Sequence, residues 1–105
     1  MLIINNMKEF EILVVGKDQR IMQTILRLIN GKPRFNGNIA FSADEAIDKS
    51  QSVRFNLVLL GAGLTPDESG SLRSFFTVPV VQHYGGGSGL LYAEIYQALG
   101  INPAE

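Results

Sequence analysis

The chain has 105 residues, 46% of them apolar and 18% charged, with a formal net charge of −1; that balance fits one domain with a modest core and excludes a disordered polyelectrolyte. Lys and Arg form no run, so the electrostatic footprint for nucleic acid or for an anionic membrane surface is missing. There is no cysteine, which excludes disulfides and thiolate metal sites and suits a cytoplasmic protein.

The opening "MLIINNMKEF" is too short in apolar residues for a signal-peptide core or a membrane span. Residues 1–8 therefore read as an N-terminal extension and 9–105 as a single domain. "EFEILVVG" (9–16) is β-branched and apolar and stops at a glycine, the pattern of a strand buried on both faces. In "DQRIMQTILRLINGK", Ile21, Met22, Ile25, Leu26, Leu28 and Ile29 fall on one helical side, and Gly31 sits at the C-cap. "GNIAFS" (37–42) reads as a short strand. "SADE" (42–45) has capping-box spacing: the Ser42 hydroxyl accepts from the N–H of Glu45, whose carboxylate reaches back, opening a helix to about Ser52.

"FNLVLLG" (55–61) is the most apolar strand and belongs at the centre of a sheet. "TPDE" (65–68) repeats the capping box with Pro66 at the first helical position, where its missing N–H costs nothing. Gly70 weakens that helix; Leu72, Phe75 and Phe76 are its expected anchors. "VPVVQH" (78–83) is a fourth strand, with Pro79 tolerated near its start. "GGGSG" (85–89) reads as a flexible connector, and "LLYAEIYQALG" as a last helix with Leu91, Ile95, Ala98 and Leu99 on its apolar side. The order β-α-β-α-β-α-β-α predicts an α/β fold: a four-stranded parallel sheet between two helical layers.

The segments "EILVVGKDQRIMQTILRLI", "SADEAI", "FNLVLLGAGLTPDESG" and "VPVV", in that order and spacing, resemble the receiver domains of two-component response regulators over roughly residues 9 to 84. The resemblance implies a flavodoxin-like receiver fold and a place in signalling. It also implies what this chain lacks. The two adjacent acids that hold Mg²⁺ in receivers align with Gly16 and Lys17. The phosphoacceptor aspartate aligns with Gly61, and the Ser or Thr after the fourth strand with Tyr84. The fourth helix, fifth strand and lysine of receivers have no counterpart, "GGGSG" standing in their place. Phosphoryl transfer to a carboxylate needs a nucleophilic oxygen, a divalent cation on oxygen ligands and cationic stabilisation. Glycine supplies none of these, Lys17 repels a cation, and Asp18 is a lone carboxylate.

Two readings of function stay open. The first is a non-phosphorylatable receiver-like module that is not an enzyme, carries no cofactor and binds a protein partner or a second copy of itself as a homodimer. Its contact surface would be the fourth strand and last helix, with Val80, Gln82, Tyr92 and Tyr96; an unpaired strand edge invites another chain. Tyr92 and Tyr96, four apart, suit packing over the core equally well. The second is a small-anion or nucleotide-binding domain, its site at the carboxyl edge of the sheet. Gly16, Lys17, Gly61, Ala62 and Gly63 would form it together with Tyr84, Gly85, Gly86 and Ser88, whose backbone N–H groups open a helix. The spacing of "YGGGSG" matches neither a P-loop nor a dinucleotide fingerprint. His83, the lone histidine, has no nucleophile or second ligand near it in sequence and reads as a strand-end residue.

Overall fold

In the computed structural model, which describes residues 8–103, eight elements alternate along the chain. They are β1 (Phe10–Val15), α1 (Gln19–Asn30), β2 (Phe35–Ala40), α2 (Ala43–Lys49), β3 (Leu57–Leu60), α3 (Pro66–Phe75), β4 (Val80–Gln82) and α4 (Gly87–Leu99). The extension read at residues 1–8 lies outside the described residues except for Lys8, whose ammonium donates to the Phe35 carbonyl at 2.9 Å. The four strands form one parallel sheet in the order β2-β1-β3-β4, with Val15 opposite Ala40 and Leu60, and Leu60 opposite Gln82. This is the three-layer α/β, flavodoxin-like arrangement that the sequence predicts.

Beyond Glu11 near the start of β1, the central strands are apolar because both of their faces are covered. Ile12, Val14, Leu57 and Leu59 point into one layer, where Met22, Ile25 and Ile29 of α1 meet Leu91 and Ile95 of α4. Leu13, Val15, Val58 and Leu60 point into the other, against Ala43 and Ala46 of α2, Leu72 of α3 and Phe55. Removing each of these large side chains from water contributes about 1.5–3 kcal/mol. β2 is the polar edge. Its Asn36 and Asn38 amides donate to Glu11 at 2.9 and 3.0 Å, which satisfies a half-buried carboxylate.

Several boundaries differ from the sequence reading, each for a local reason. β2 begins at Phe35, not Gly37, because Phe35 is fully buried beside Ile29 and Tyr96. Gly37 then lies inside the strand and lets α1 approach: a Cβ there would sit 2.8 Å from the Leu26 side chain. α2 stops at Lys49, where Ser50 closes the last turn. The Glu45 carboxylate takes the N–H of Phe41 at 2.7 Å instead of that of Ser42, one residue beyond the expected box. α3 forms the full capping box at Thr65 and Glu68, yet buries only Leu72. Phe75, expected to anchor it, is 44% exposed, and Phe76 lies just past the helix against Phe55. Ile21, expected on the buried side of α1, is 48% exposed. β4 is shorter than expected, since Val78 and Pro79 only lead into it. The "GGGSG" connector is not a free linker: Gly86 caps α4 at φ +108°, and Gly87 to Gly89 make its first turn. Three successive glycines at positive φ turn the chain sharply from β4 into α4, a path closed to most side chains.

Candidate functional site

The carboxyl ends of β1 and β3 meet where an open parallel sheet normally presents a crevice. Here the crevice is closed by backbone and filled by side chains. The Gly16 N–H donates to Ala40 at 3.1 Å, the Gly61 N–H to Val15 at 2.7 Å, and the Lys17 N–H to Ala62 at 3.0 Å. These three backbone donors at the mouth are thus spent on backbone carbonyls. A Cβ on Gly16 would lie 2.9 Å from the Met22 sulfur, so the thioether occupies the space over that strand end. The stem of Lys17 runs beneath Gly63, where a Cβ would meet its Cβ and Cγ at 2.7 and 2.8 Å.

The charges at the mouth are committed as well. Lys17 Nζ pairs with Glu68 at 2.9 Å across to the first turn of α3. The same carboxylate accepts from the Thr65 N–H at 3.1 Å. The Thr65 backbone hydrogen bond first, and the Lys17 ammonium second, hold the Glu68 carboxyl below the usual carboxylate value. Asp18, the one acid next to the strand end, accepts from the Ile21 N–H at 3.0 Å as the N-cap of α1. The receiver resemblance implies a divalent cation, and the residues present do not fit one. The donor set is a capping carboxylate beside an ammonium, and Gly16 and Gly61 bring no side chain at all. Among the described residues no three His, Asp or Glu side chains gather as metal ligands.

The other sequence-derived positions separate into distinct places. Gly16, Lys17, Gly61, Ala62 and Gly63 lie together at the mouth, while Gly85 and Ser88 line a groove between α1 and α4. Tyr84 is 87% exposed. Val80 and Gln82 sit on the outer edge of β4, and Tyr92 and Tyr96 do not join them. The Tyr92 hydroxyl donates to the Leu28 carbonyl at 2.9 Å, and the Tyr96 ring lies 5.6 Å from that of Phe35. The expected single surface from β4 to α4 is therefore two places, because α4 turns Tyr92 toward α1 and Tyr96 toward the start of β2.

The β4 edge has a defined polarity. The Val58 N–H donates to Pro79 at 3.0 Å and the His83 N–H to Leu60 at 2.8 Å. In a parallel ladder this parity turns the backbone groups of Val80 and Gln82 away from β3. One of them is engaged: the Arg73 guanidinium donates to the Val80 carbonyl at 3.0 Å.

His83 is buried, and its ring Nδ1 bonds to the Glu94 carboxylate of α4 at 2.5 Å. Sequence reasoning passed over this pair, the Met22 plug and the Arg73 contact. Each joins residues whose approach depends on the crossing of a helix over the sheet, and no local spacing signals it.

No family model matches the sequence, and no curated protein matches it. Solved structures do match the fold. A two-component response regulator from Clostridium difficile superposes with a TM-score of 0.73 at 18% identity, over 87% of this chain and 96% of that one. The signal receiver domain of an HD-domain-containing protein from Pseudomonas fluorescens gives 0.62 at 20% identity, over 94% and 76%. A structure of the phosphorylated P1 domain of CheA3 in complex with CheY6 from R. sphaeroides gives 0.62 at 17% identity, over 87% and 99%. At such identities the likeness is one of fold, and the class it defines is the response-regulator receiver fold. This chain is similar to those receivers in architecture and departs from the receiver pattern at Gly16, Lys17 and Gly61.

Proposed function

We propose that this domain is a receiver-like signalling module that works by protein contact and takes up no phosphoryl group at its third strand. The observation that carries the reading is the mouth between Gly16 and Gly61, where neither strand end bears a carboxylate and the Met22 sulfur and the Lys17 stem crowd the positions at Gly16 and Gly63. The structural neighbours add support: one of them is, by its name, the phosphorylated P1 domain of CheA3 in complex with CheY6. Incubation of the protein with acetyl phosphate or beryllofluoride plus Mg²⁺ tests it. The expected outcome is an unchanged mass and unchanged amide shifts at residues 15–17 and 60–63. A covalent adduct or a saturable Mg²⁺-dependent shift there rejects the reading.

The contact surface in this proposal is the outer edge of β4, and the first partner to test is a second copy of the chain. The outward N–H groups of Val80 and Gln82 and the Gln82 carbonyl are free to pair with an added strand. Arg73 on the Val80 carbonyl limits that pairing, so weak self-association is expected. Light scattering across a concentration series measures it, and a strictly monomeric protein at high concentration removes self-pairing.

A further inference from the structure

A cavity of about 220 Å³ lies at the amino end of the sheet, where Phe35 begins β2, at the opposite end from the closed mouth. Pro33, Phe35 and Tyr96 form its apolar side together with Pro103, which follows α4. Lys32 and Arg34 supply its polar side. Phe35 is fully buried, and the Tyr96 ring leans on it with centroids 5.6 Å apart.

Two independent observations point to an anion there. The first is the Arg34 guanidinium. Its Nε is taken by Glu9, and the Phe10 ring centroid lies 5.4 Å from its central carbon. Its Nη1 is buried with no hydrogen-bond partner, the one such side-chain atom among the described residues. A ring attracts the charge but has no lone pair, so Phe10 leaves Nη1 unsatisfied. Buried donors in native folds are nearly always paired, and one left without a partner calls for an acceptor. The second observation is the balance of charge. The Lys32 ammonium lies 4.5 Å from the centre of the Tyr92 ring. The Lys8 ammonium donates to the carbonyls of Lys32 and Phe35 at 3.3 and 2.9 Å. Neither lysine pairs with a carboxylate among the described residues. Three cations thus gather at this end of the sheet, and Glu9 is the one carboxylate paired with any of them. A water would satisfy Nη1 and leave the excess charge; a carboxylate answers both.

We propose that this cavity binds a small aromatic carboxylate. One carboxylate oxygen accepts from Nη1 of Arg34, and the other faces the Lys32 ammonium. Nη1 lies beneath the surface, so it is reached by a ligand seated inside the cavity and not by an ion resting outside. The ligand's ring lies against Tyr96 and the two prolines, where flat apolar faces stack. The volume falls below the roughly 300–1,000 Å³ of pockets for larger ligands, which limits the body to about one ring. The site is independent of the β4 edge, so it adds a ligand input to a module whose partner contact lies elsewhere.

The test uses the full chain and three probes: benzoate, its neutral isostere benzamide, and inorganic phosphate. The side-chain nitrogen signals of Arg34 and the ring signals of Tyr96 are followed by NMR. The expected result is a saturable shift of both with benzoate, and binding of benzamide about tenfold weaker for want of the charge. Arg34→Lys keeps the charge without Nη1 and is expected to weaken benzoate binding about tenfold. Lys32→Gln, which breaks no ion pair, is expected to keep the fold and weaken binding about threefold. It decides the matter if Arg34→Lys, which also disturbs the Glu9 pair, fails to fold. Equal binding of benzamide overturns the proposal, since the cavity would then take any flat apolar body. Equal binding of phosphate overturns it too, reducing the site to a patch of charge. So does unchanged affinity in folded Arg34→Lys or in Lys32→Gln. Lack of saturation by about 10 mM benzoate, where even millimolar affinity is visible, leaves the cavity to water and also ends the proposal.

Discussion

Placing an aspartate at the end of the third strand tests the closed mouth directly. Gly61 is buried, but a Cβ there has room: its nearest neighbours would be the Val15 carbonyl at 3.4 Å, Gly16 Cα at 3.7 Å and the Met22 sulfur at 3.8 Å. Gly61→Asp thus fits sterically, and its cost is electrostatic. The carboxylate meets a carbonyl oxygen and a thioether, the N–H groups of Gly16, Lys17 and Gly61 are engaged, and the Lys17 ammonium is held by Glu68. A buried charge without partners costs more than its neutral isostere, by about 1–3 kcal/mol after partial hydration. Gly61→Asn carries the same bulk, so the difference between the two variants isolates the charge. For a domain of this size each kcal/mol lowers Tm by about 4–8 °C.

The pH dependence of that difference has a definite sign. Burial raises the carboxyl above its unfolded value of about 3.9, so the penalty is full well above the native pKa and vanishes below the unfolded one. Urea unfolding of both variants between about pH 7 and pH 4 is therefore expected to show a gap that closes as the pH falls. Repeating the series with Mg²⁺ completes the test. If Gly61→Asp equals Gly61→Asn in stability at neutral pH, or gains stability from millimolar Mg²⁺ by ligand linkage, the mouth retains a cation site and the reasoning fails.

Other expectations are more local. Arg73→Ala removes the donor on the Val80 carbonyl and exposes the whole β4 edge, so light scattering is expected to show stronger self-association than in the native chain. Weaker association would instead make Arg73 part of the contact. Thr65→Ala removes the hydroxyl that accepts from the Glu68 N–H at 3.1 Å and is expected to cost about 1 kcal/mol in urea unfolding. The Glu68 carboxyl, lowered from its usual value of 4.5, contributes stability that is present above that value and lost as the pH falls through its lower folded value. An acid series of native protein against Glu68→Gln is expected to show curves that converge in that range. Ile95→Ala empties a fully buried position shared by α4 and the sheet, at an expected cost of about 2–5 kcal/mol by calorimetry or urea.

The fold was legible because its central strands are. "ILVV" and "LVLL" are apolar at every position, which only a sheet covered on both faces requires. Ser42 and Thr65 mark two helix starts by one rule of side-chain acceptance, and both cap in the structure; Asp18, read only as a lone carboxylate, caps α1 by the same rule. What misled was composition at the surface. Phe75 and Ile21 fit the apolar stripes of their helices, and the stripe says nothing of whether a neighbouring layer reaches that far. The glycines at 85–89 read as slack chain because flexibility and a sharp turn require the same residue. At the mouth of the sheet, the missing carboxylates were plain from residue identity. The contents of the space were not: Met22 arrives from a turn of α1, and Lys17 finds Glu68 across 51 positions of sequence.

These observations separate the parts of the domain that hold it together from those left to act. The receiver architecture rests on two apolar layers that, of the residues at the mouth, involve only Met22. The mouth can therefore be closed by a lysine, a methionine and glycines while the fold stays the same. Closure has a structural effect of its own: the Lys17–Glu68 pair ties the β1–α1 turn to the first turn of α3. In a domain switched at that mouth, those two segments would need freedom to move. Here they are joined, and outward backbone groups lie instead along the β4 edge. On the proposed reading the β4 edge is the surface left to act, and it leads into the turn that Gly85, Gly86 and Gly87 make between β4 and α4.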